Sequence, residues 1–194
     1  GKGVSSFNNK DSKPTIGLLT HNQLNGALVD LACLSFGFKI IPIPLNSTSE
    51  HASYIINHSE ITHLFIGGEN AEKIWNDIRH SHDIVTIAMS EANQITDYSI
   101  NWDSFLSSSD FVQDFDVNRQ LSNIDMNEIQ TIMYTSGTTA NPKGIIFDQI
   151  NIISKRFARA LALPRLSSED TFLAYLPLFH TFGRYFEMLG SIFW

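Results

Sequence analysis

The sequence IGLLTHNQLNGALVDLACLSFGFKIIPIPL, residues 16–45, contains two hydrophobic periods in succession. Ile16–Thr20 is a short apolar run that suits a buried strand, and Asn22–Phe36 then places its apolar residues at the spacing of one helix face. Gly37 stands where a helix C-cap is expected. A second strand follows, and its two prolines end it early because proline cannot donate to a ladder. This stretch therefore predicts one right-handed βαβ unit.

The same alternation continues along the chain. Ser47 and Glu50 have the spacing of a capping box in front of another apolar helix. Strand, helix and strand patterns recur at 63–67, 70–80 and 84–89. Strands separated by helices predict an α/β fold of layered βαβ units, in which a mostly parallel sheet is covered on both faces.

An acidic connector follows these units. Residues 91–128 carry eight acidic side chains and a single basic one, Arg119. We expect a solvated loop region there, with a helical turn near Trp102. The chain then divides into a first βαβ subdomain over 1–128, which includes the connector, and a second region over 129–194.

The second region again alternates between strand and helix patterns. They predict strands at Ile129–Thr135, in GIIFD and in TFLAYLP, and helices at about Gln149 to Leu163 and from Thr181 to Trp194. One side of the last helix should be apolar and largely aromatic: Phe182, Tyr185, Phe186, Leu189 and Phe193. This helix reaches the last residue without a cap or turn, so we expect the chain to be a piece of a longer protein, truncated at Trp194 inside the fold.

Composition excludes several classes of protein. Of 194 residues, 43% are hydrophobic and 17% charged, which indicates a substantial core and excludes a disordered chain. The only cysteine, Cys33, excludes an internal disulfide framework and a cysteine-based zinc site. A net charge of −7 argues against a nucleic-acid partner. His180, Arg184 and Glu187 interrupt the most apolar stretch, so we expect no transmembrane span. The single cysteine indicates a reducing compartment, and we expect a soluble, cytoplasmic protein with at most peripheral membrane contact.

The most informative motif is YTSGTTANPKG, residues 134–144. Hydroxyl groups surround Gly137, which lets backbone N–H groups approach an anion, and Lys143 can neutralise negative charge. These are the requirements of a polyphosphate-binding loop. The motif is not a Walker P-loop, because Gly144 follows the lysine and a strand follows where a helix should begin. A polar hairpin between two strands is the structural alternative.

The ordered string resembles the phosphate-binding signature of the adenylate-forming (AMP-binding) enzymes, with Ala140 in place of its second glycine. LPLFHTFGR, residues 176–184, resembles the family segment between the nucleotide site and the acyl pocket. Residues 30–60 resemble the N-terminal part of long-chain fatty acyl-CoA synthetases. The other histidines, including His80 and His82, have no partner cluster in the sequence and are expected at the surface.

The resemblance implies an acyl-CoA synthetase-like fold and a set of site residues. Phosphates of ATP would be held by the hydroxyl loop and its lysine: Thr135, Ser136, Gly137, Thr138, Thr139 and Lys143. Thr139 would also lie near Mg²⁺, and His180 would lie beside the substrate carboxylate. Residues 129–194 would then hold the phosphate loop and the start of the acyl-pocket subdomain.

The implied reaction is activation of a fatty acid by ATP to an acyl-adenylate, followed by transfer to CoA. The missing C-terminal part of the same enzyme would be required, so we expect the isolated 194 residues to be inactive. Two alternatives remain open: an adenylating enzyme for an aryl, short-chain or amino acid, and a non-catalytic truncated fold.

Overall fold

The structure is a computed structural model that describes residues 13–89, 99–108, 116–135 and 141–193. Strands in chain order are β1 Thr15–Thr20, β2 Lys39–Pro42, β3 His63–Gly67, β4 Val85–Ala88, β5 Ser99–Asn101, β6 Ile129–Thr135 and β7 Lys143–Asp148. The α-helices are α1 Leu24–Phe36, α2 Ser49–His58, α3 Glu69–Ile78, α4 Trp102–Ser108, α5 Val117–Ser122, α6 Gln149–Ala162 and α7 Leu189–Phe193. A 3₁₀ turn, Arg79–Ser81, follows α3, and a π-helix, Gly183–Met188, precedes α7.

The strands form one sheet in the order β5-β4-β3-β1-β2-β6-β7. All neighbours run parallel except β6 and β7, which form an antiparallel pair. This confirms the predicted α/β class and mostly parallel sheet. The sheet continues across residue 128, since Ile40 of β2 pairs with Thr131 of β6. The division of the chain at residue 128 stays a prediction.

Alternate residues of the central strands supply two separate cores, one on each face of the sheet. Ile16 of β1 and Phe65 of β3 face α1, whose buried residues include Cys33. Leu19 and Leu64 face the opposite way, into the cluster formed with α2 and α3. The period of two along each strand therefore gives the predicted coverage of both faces.

The predicted cap of α1 agrees with the structure, whereas the predicted cap of α2 does not. Gly37 adopts φ 70° after α1, the left-handed conformation predicted for its C-cap. The predicted capping residue of α2, Ser47, is wrong by one position. Thr48 is the N-cap, and its side chain accepts a hydrogen bond from the His51 N–H at 3.2 Å.

Two predictions about irregular and extended segments are also wrong. Within the predicted acidic loop, Ser99–Asn101 pair with β4 as the strand β5. The helical turn expected near Trp102 is confirmed by α4, but its Phe105 is buried and not solvated. Thr171–Pro177 do not form a strand. At its end, the backbone of Leu176 bonds a side chain instead of a neighbouring strand: its N–H donates to Glu187 Oε2 at 3.1 Å.

The last helix is confirmed, but its buried side differs from the prediction. Tyr185 and Leu189 are buried, whereas Phe182 is 48% exposed. The π-helix changes which side chains face the protein interior, so that Arg184 and Glu187 point inward together with Tyr185. The buried side of this helix is therefore partly charged.

Candidate functional site

A cavity of about 240 Å³ opens at the carboxyl edge of the sheet, beside the ends of β2 and β6. Asn46 reaches it from the segment after β2, Thr135 from the last position of β6, and Ile145 from β7. His180 lies on its remaining side. Thr135 and His180, which the sequence predicted as site residues from separate motifs, thus line the same cavity.

The two ends of the predicted phosphate loop meet where β6 and β7 pair. Thr135 and Lys143 are register partners, and the Thr135 hydroxyl lies 3.4 Å from the Lys143 carbonyl oxygen, to which it donates. Both residues are exposed. Ser136, Gly137, Thr138 and Thr139 lie outside the described residues. The hairpin places Thr135, one end of the loop, in the lining of the cavity, whereas Lys143 is not among the lining residues.

One ring nitrogen of His180 accepts a hydrogen bond from the backbone two residues later. The Phe182 N–H donates to His180 Nδ1 at 3.3 Å. When the imidazole is neutral, acceptance at Nδ1 places the ring proton on Nε2. His180 can therefore offer an N–H donor to an oxygen atom in the cavity.

The turn that carries His180 packs against a glycine in the first turn of the π-helix. A Cβ atom at Gly183 would lie 2.5 Å from the Pro177 carbonyl oxygen and 2.8 Å from that of Leu176. Because these are backbone atoms, a side chain at position 183 would require the turn to move. The His180 N–H donates to the Pro177 carbonyl at 2.9 Å, which closes the turn.

A buried ion pair fixes the π-helix on the sheet. The guanidinium of Arg184 bonds both carboxylate oxygens of Asp30, at 2.7 and 2.5 Å, and also donates to the Thr131 hydroxyl at 2.7 Å. Burial alone lowers the pKa of Arg184, but the charge and hydrogen bonds of Asp30 outweigh it and raise that pKa. Sequence reasoning missed Asp30, because the apolar spacing of α1 placed Leu24 and Leu28 on its buried side, whereas both are exposed and Asp30 is buried.

A second polar contact involves Tyr134, which lines the cavity. The Tyr134 hydroxyl and His58 Nδ1 share a hydrogen bond of 2.7 Å, and burial raises the pKa of the Tyr134 phenol. His82 is half-buried, lies parallel to the Trp75 ring, and bonds Ser53 Oγ through Nε2 at 2.9 Å. The expectation of a surface position is therefore wrong for His82.

The described lining of the cavity does not by itself make a magnesium site. It offers amide and hydroxyl oxygens but no carboxylate. Elsewhere among the described residues, no group of three or more His, Cys, Asp or Glu side chains could hold a metal ion. A larger cavity, about 450 Å³, lies at the opposite edge of the sheet beside Trp75 and His82, and contains none of the predicted site residues.

Comparison with known proteins gives consistent results. The family model described as "AMP-binding enzyme" matches residues 8–194. The chain is 29% identical over 176 residues to fatty acyl-CoA synthetase A of Dictyostelium discoideum, covering 87% of the chain and 26% of that protein. It is 27% identical over 172 residues to long chain acyl-CoA synthetase 4 of Arabidopsis thaliana, covering 80% of the chain and 25% of that protein.

A solved structure shares the fold. The ATP-bound MatB of Rhodopseudomonas palustris superposes with a TM-score of 0.72 and 16% sequence identity, over 99% of this chain and 36% of that one. The chain thus spans about a quarter of the length of the curated relatives named above. In the described ranges, no helix is long and apolar enough to cross a membrane.

Proposed function

Since the chain belongs to the AMP-binding enzyme family, we propose that it forms the nucleotide- and acid-binding part of an AMP-forming ligase that activates a fatty acid with ATP and transfers it to CoA. The relatives named above are acyl-CoA synthetases, which supports a fatty acid as the substrate. Because the chain covers only about a quarter of their length, the complete activity is proposed for a longer protein that contains these residues.

The observation that carries the proposal is the meeting of Thr135 and His180 in one cavity. Thr135 begins the hydroxyl-rich loop, whose resemblance to a phosphate-binding signature assigns it the phosphates of ATP. His180 would stand at the other reactant, the carboxylate. A cavity that joins these two positions can hold a carboxylate next to the α-phosphate, which is the arrangement that acyl-adenylate formation needs.

In the first step, a carboxylate oxygen forms a bond to the α-phosphorus of ATP while the bond to the bridging oxygen breaks and pyrophosphate leaves. Negative charge grows on the pyrophosphate as the bond breaks. Thr135, Ser136, Gly137, Thr138, Thr139 and Lys143 would stabilise it with hydroxyl, amide and ammonium donors. Thr139 would lie near Mg²⁺, which would supply further charge neutralisation.

His180 would act from the opposite side of the reacting atoms. Its Nε2–H can donate a hydrogen bond to the attacking carboxylate or to an α-phosphate oxygen, because Nδ1 is already an acceptor for Phe182. This contact orients the carboxylate rather than moving a proton, since the attacking oxygen is already ionised near neutral pH. In the second step, the CoA sulfur loses its proton and forms a bond to the acyl carbon, while the bond from that carbon to the AMP oxygen breaks and AMP leaves.

ATP–pyrophosphate exchange tests the proposal. A full-length protein containing residues 1–194 should catalyse exchange with palmitate and more weakly with benzoate, acetate or amino acids. Lys143→Ala and His180→Ala should each lower exchange at least tenfold. The matched control, His80→Ala, should retain it, because His80 is exposed and lies at the other edge of the sheet.

The outcomes separate the open alternatives. If exchange is faster with benzoate, acetate or an amino acid than with palmitate, the proposed chemistry is supported but the proposed fatty-acid substrate is wrong. Absence of exchange with every carboxylic acid would contradict the proposal and favour a non-catalytic fold. The 194-residue chain by itself is expected to give no exchange, so activity there would contradict the requirement for the rest of the protein.

A further inference from the structure

The segment that leads into His180 is held by an amide side chain that follows β1. Asn22 Nδ2 donates to the Leu176 carbonyl at 2.8 Å, and the Leu178 N–H donates to Asn22 Oδ1 at 2.9 Å. One amide therefore uses its donor and its acceptor on two backbone groups of the same turn. Such a two-point contact fixes both the position and the direction of the bound segment.

Other contacts hold the same turn from the side of the π-helix. Leu176 also donates its N–H to Glu187 Oε2, so both of its backbone polar groups are bonded to side chains. Gly183 allows the turn to lie directly on the helix backbone. Asn22 is the member of this group that belongs to the sheet side of the site, because it stands two residues after β1 ends at Thr20.

The sheet connects Asn22 to the phosphate side of the cavity. β1 pairs with β2, and β2 pairs with β6, in parallel, so the carboxyl ends of all three strands lie at one edge. β6 ends at Thr135. Thr135 is the last residue of one strand of this sheet and Asn22 follows another strand by two residues, whereas His180 lies on a turn that does not adjoin a strand.

We infer that Asn22 is a positioning residue, which acts through the turn 176–178 to set the place of His180 relative to the phosphate-binding loop. The inference rests on the proposed function, because it assigns Asn22 to the alignment of the carboxylate with the α-phosphate. Asn22 does not line the cavity, and neither do Leu176 and Leu178, the residues that its side chain bonds. Misplacement of a reacting group by about 1 Å can lower a rate on the order of a hundredfold, so loss of this contact should change turnover more than binding of ATP.

Two variants of the full-length protein test the inference. Asn22→Asp keeps an acceptor for the Leu178 N–H and loses the donor to Leu176, while Asn22→Leu loses both. Asn22 is exposed, so neither variant removes much packing. A carboxylate at position 22 also lies next to the N-terminus of α1, where negative charge is tolerated. Asn25→Asp is the matched control, since Asn25 bonds one carbonyl, that of Met89, at 3.3 Å.

The expected result is a kinetic split. Turnover in ATP–pyrophosphate exchange should fall about tenfold in Asn22→Asp and further in Asn22→Leu, with the KM for ATP within about twofold of the original and a melting temperature close to that of Asn25→Asp. Unchanged turnover in Asn22→Leu would overturn the inference. So would a loss of turnover that Asn25→Asp shows equally, because that result indicates a general structural effect.

A spectroscopic readout separates this inference from the proposed function. The ring Cε1 resonance of His180, assigned by its loss in His180→Gln, should shift in Asn22→Leu and stay in place in Asn25→Asp. If the unmodified protein shows no exchange, the proposed function fails, but a shifted His180 resonance still supports positioning by Asn22. An unshifted resonance overturns the positioning role even if exchange is robust.

Discussion

Arg184 and Asp30 join the π-helix to α1 through an ion pair that solvent hardly reaches: their side chains are 0% and 3% exposed. Both carboxylate oxygens and three guanidinium nitrogens take part in hydrogen bonds, counting the one to Thr131. The two residues belong to segments that the sequence separates by 154 positions. Their contact holds the helix that follows His180 against the sheet.

Breaking this pair should destabilise the protein strongly. Asp30→Asn or Arg184→Met leaves one charged or polar partner buried, which typically costs about 3–5 kcal/mol of unfolding free energy. Replacing both residues, Asp30→Leu with Arg184→Met, should recover much of the loss because no buried charge remains. Denaturant unfolding measures these values.

The exposed pair between Lys13 and Glu128 provides the control for this prediction. Its side chains are 46% and 42% exposed. Lys13→Gln should therefore change the unfolding free energy by only about 0–1 kcal/mol. A similar value for Arg184→Met would contradict the structural role assigned to the buried pair.

Gly183→Ala should disturb the turn before His180. The added methyl group would lie 2.5 Å from a backbone oxygen, so either the turn or the π-helix must move, at a cost of about 1–3 kcal/mol. Gly26→Ala is the control: its Cβ would meet the Thr20 side-chain methyl at 2.9 Å, and alanine favours the helical conformation. Equal melting temperatures for the two variants would argue against the close approach at Gly183.

Removing the side chain that caps α2 should lower stability more at Thr48 than at its neighbour Ser47. Thr48→Ala removes the acceptor of the His51 N–H and should lower the unfolding free energy by about 1 kcal/mol. Ser47→Ala should have a smaller effect, because the cap lies at position 48. Thermal or urea unfolding of the two variants decides between the observed cap and the one that the sequence spacing favoured.

His82 should make stability depend on pH. Burial lowers its pKa in the folded protein, so the unfolded chain takes up a proton at a higher pH than the folded protein does. As pH falls below about 6.5, the unfolded state is favoured and the unfolding free energy decreases, until the folded protein also binds the proton. His82→Gln should reduce this pH dependence when the melting temperature is measured between pH 7.5 and 5.

Two other histidines help to interpret that experiment. Burial also lowers the pKa of His63, so part of the pH dependence should remain in His82→Gln. The exposed His80 is the control, and His80→Gln should keep the slope of the unmodified protein. An undiminished slope in His82→Gln would indicate that other groups are responsible.

The βαβ units were predictable because local signals agree with the final fold. In β1, α1 and β2, apolar period, proline positions and Gly37 all favour the elements that form. β5 was not predictable, because three residues in an acidic stretch carry no period of their own and become a strand only beside β4. For Thr171–Pro177, apolar composition favoured a buried strand, but Leu173 and Tyr175 are 81% and 71% exposed.

The site was predictable only where residues stand in recognisable motifs. Thr135 and His180 belong to such motifs, and the structure brings them to one cavity. The contacts of Asn22 with the turn and of Asp30 with Arg184 join segments far apart in the sequence, so no local spacing could reveal the partner. The apolar period of α1 did not indicate Asp30, which lies on the side of the helix that the structure buries.

The parallel pairing of β2 with β6 also affects how the protein emerges from the ribosome. Ile40 accepts a hydrogen bond from the hydroxyl of Thr131, which is synthesised 91 residues later. At a synthesis rate of about 5–20 residues per second, one edge of β2 waits roughly 5–20 s for its partner. During that interval the nascent chain displays an apolar strand that a chaperone, or a neighbouring chain, can bind.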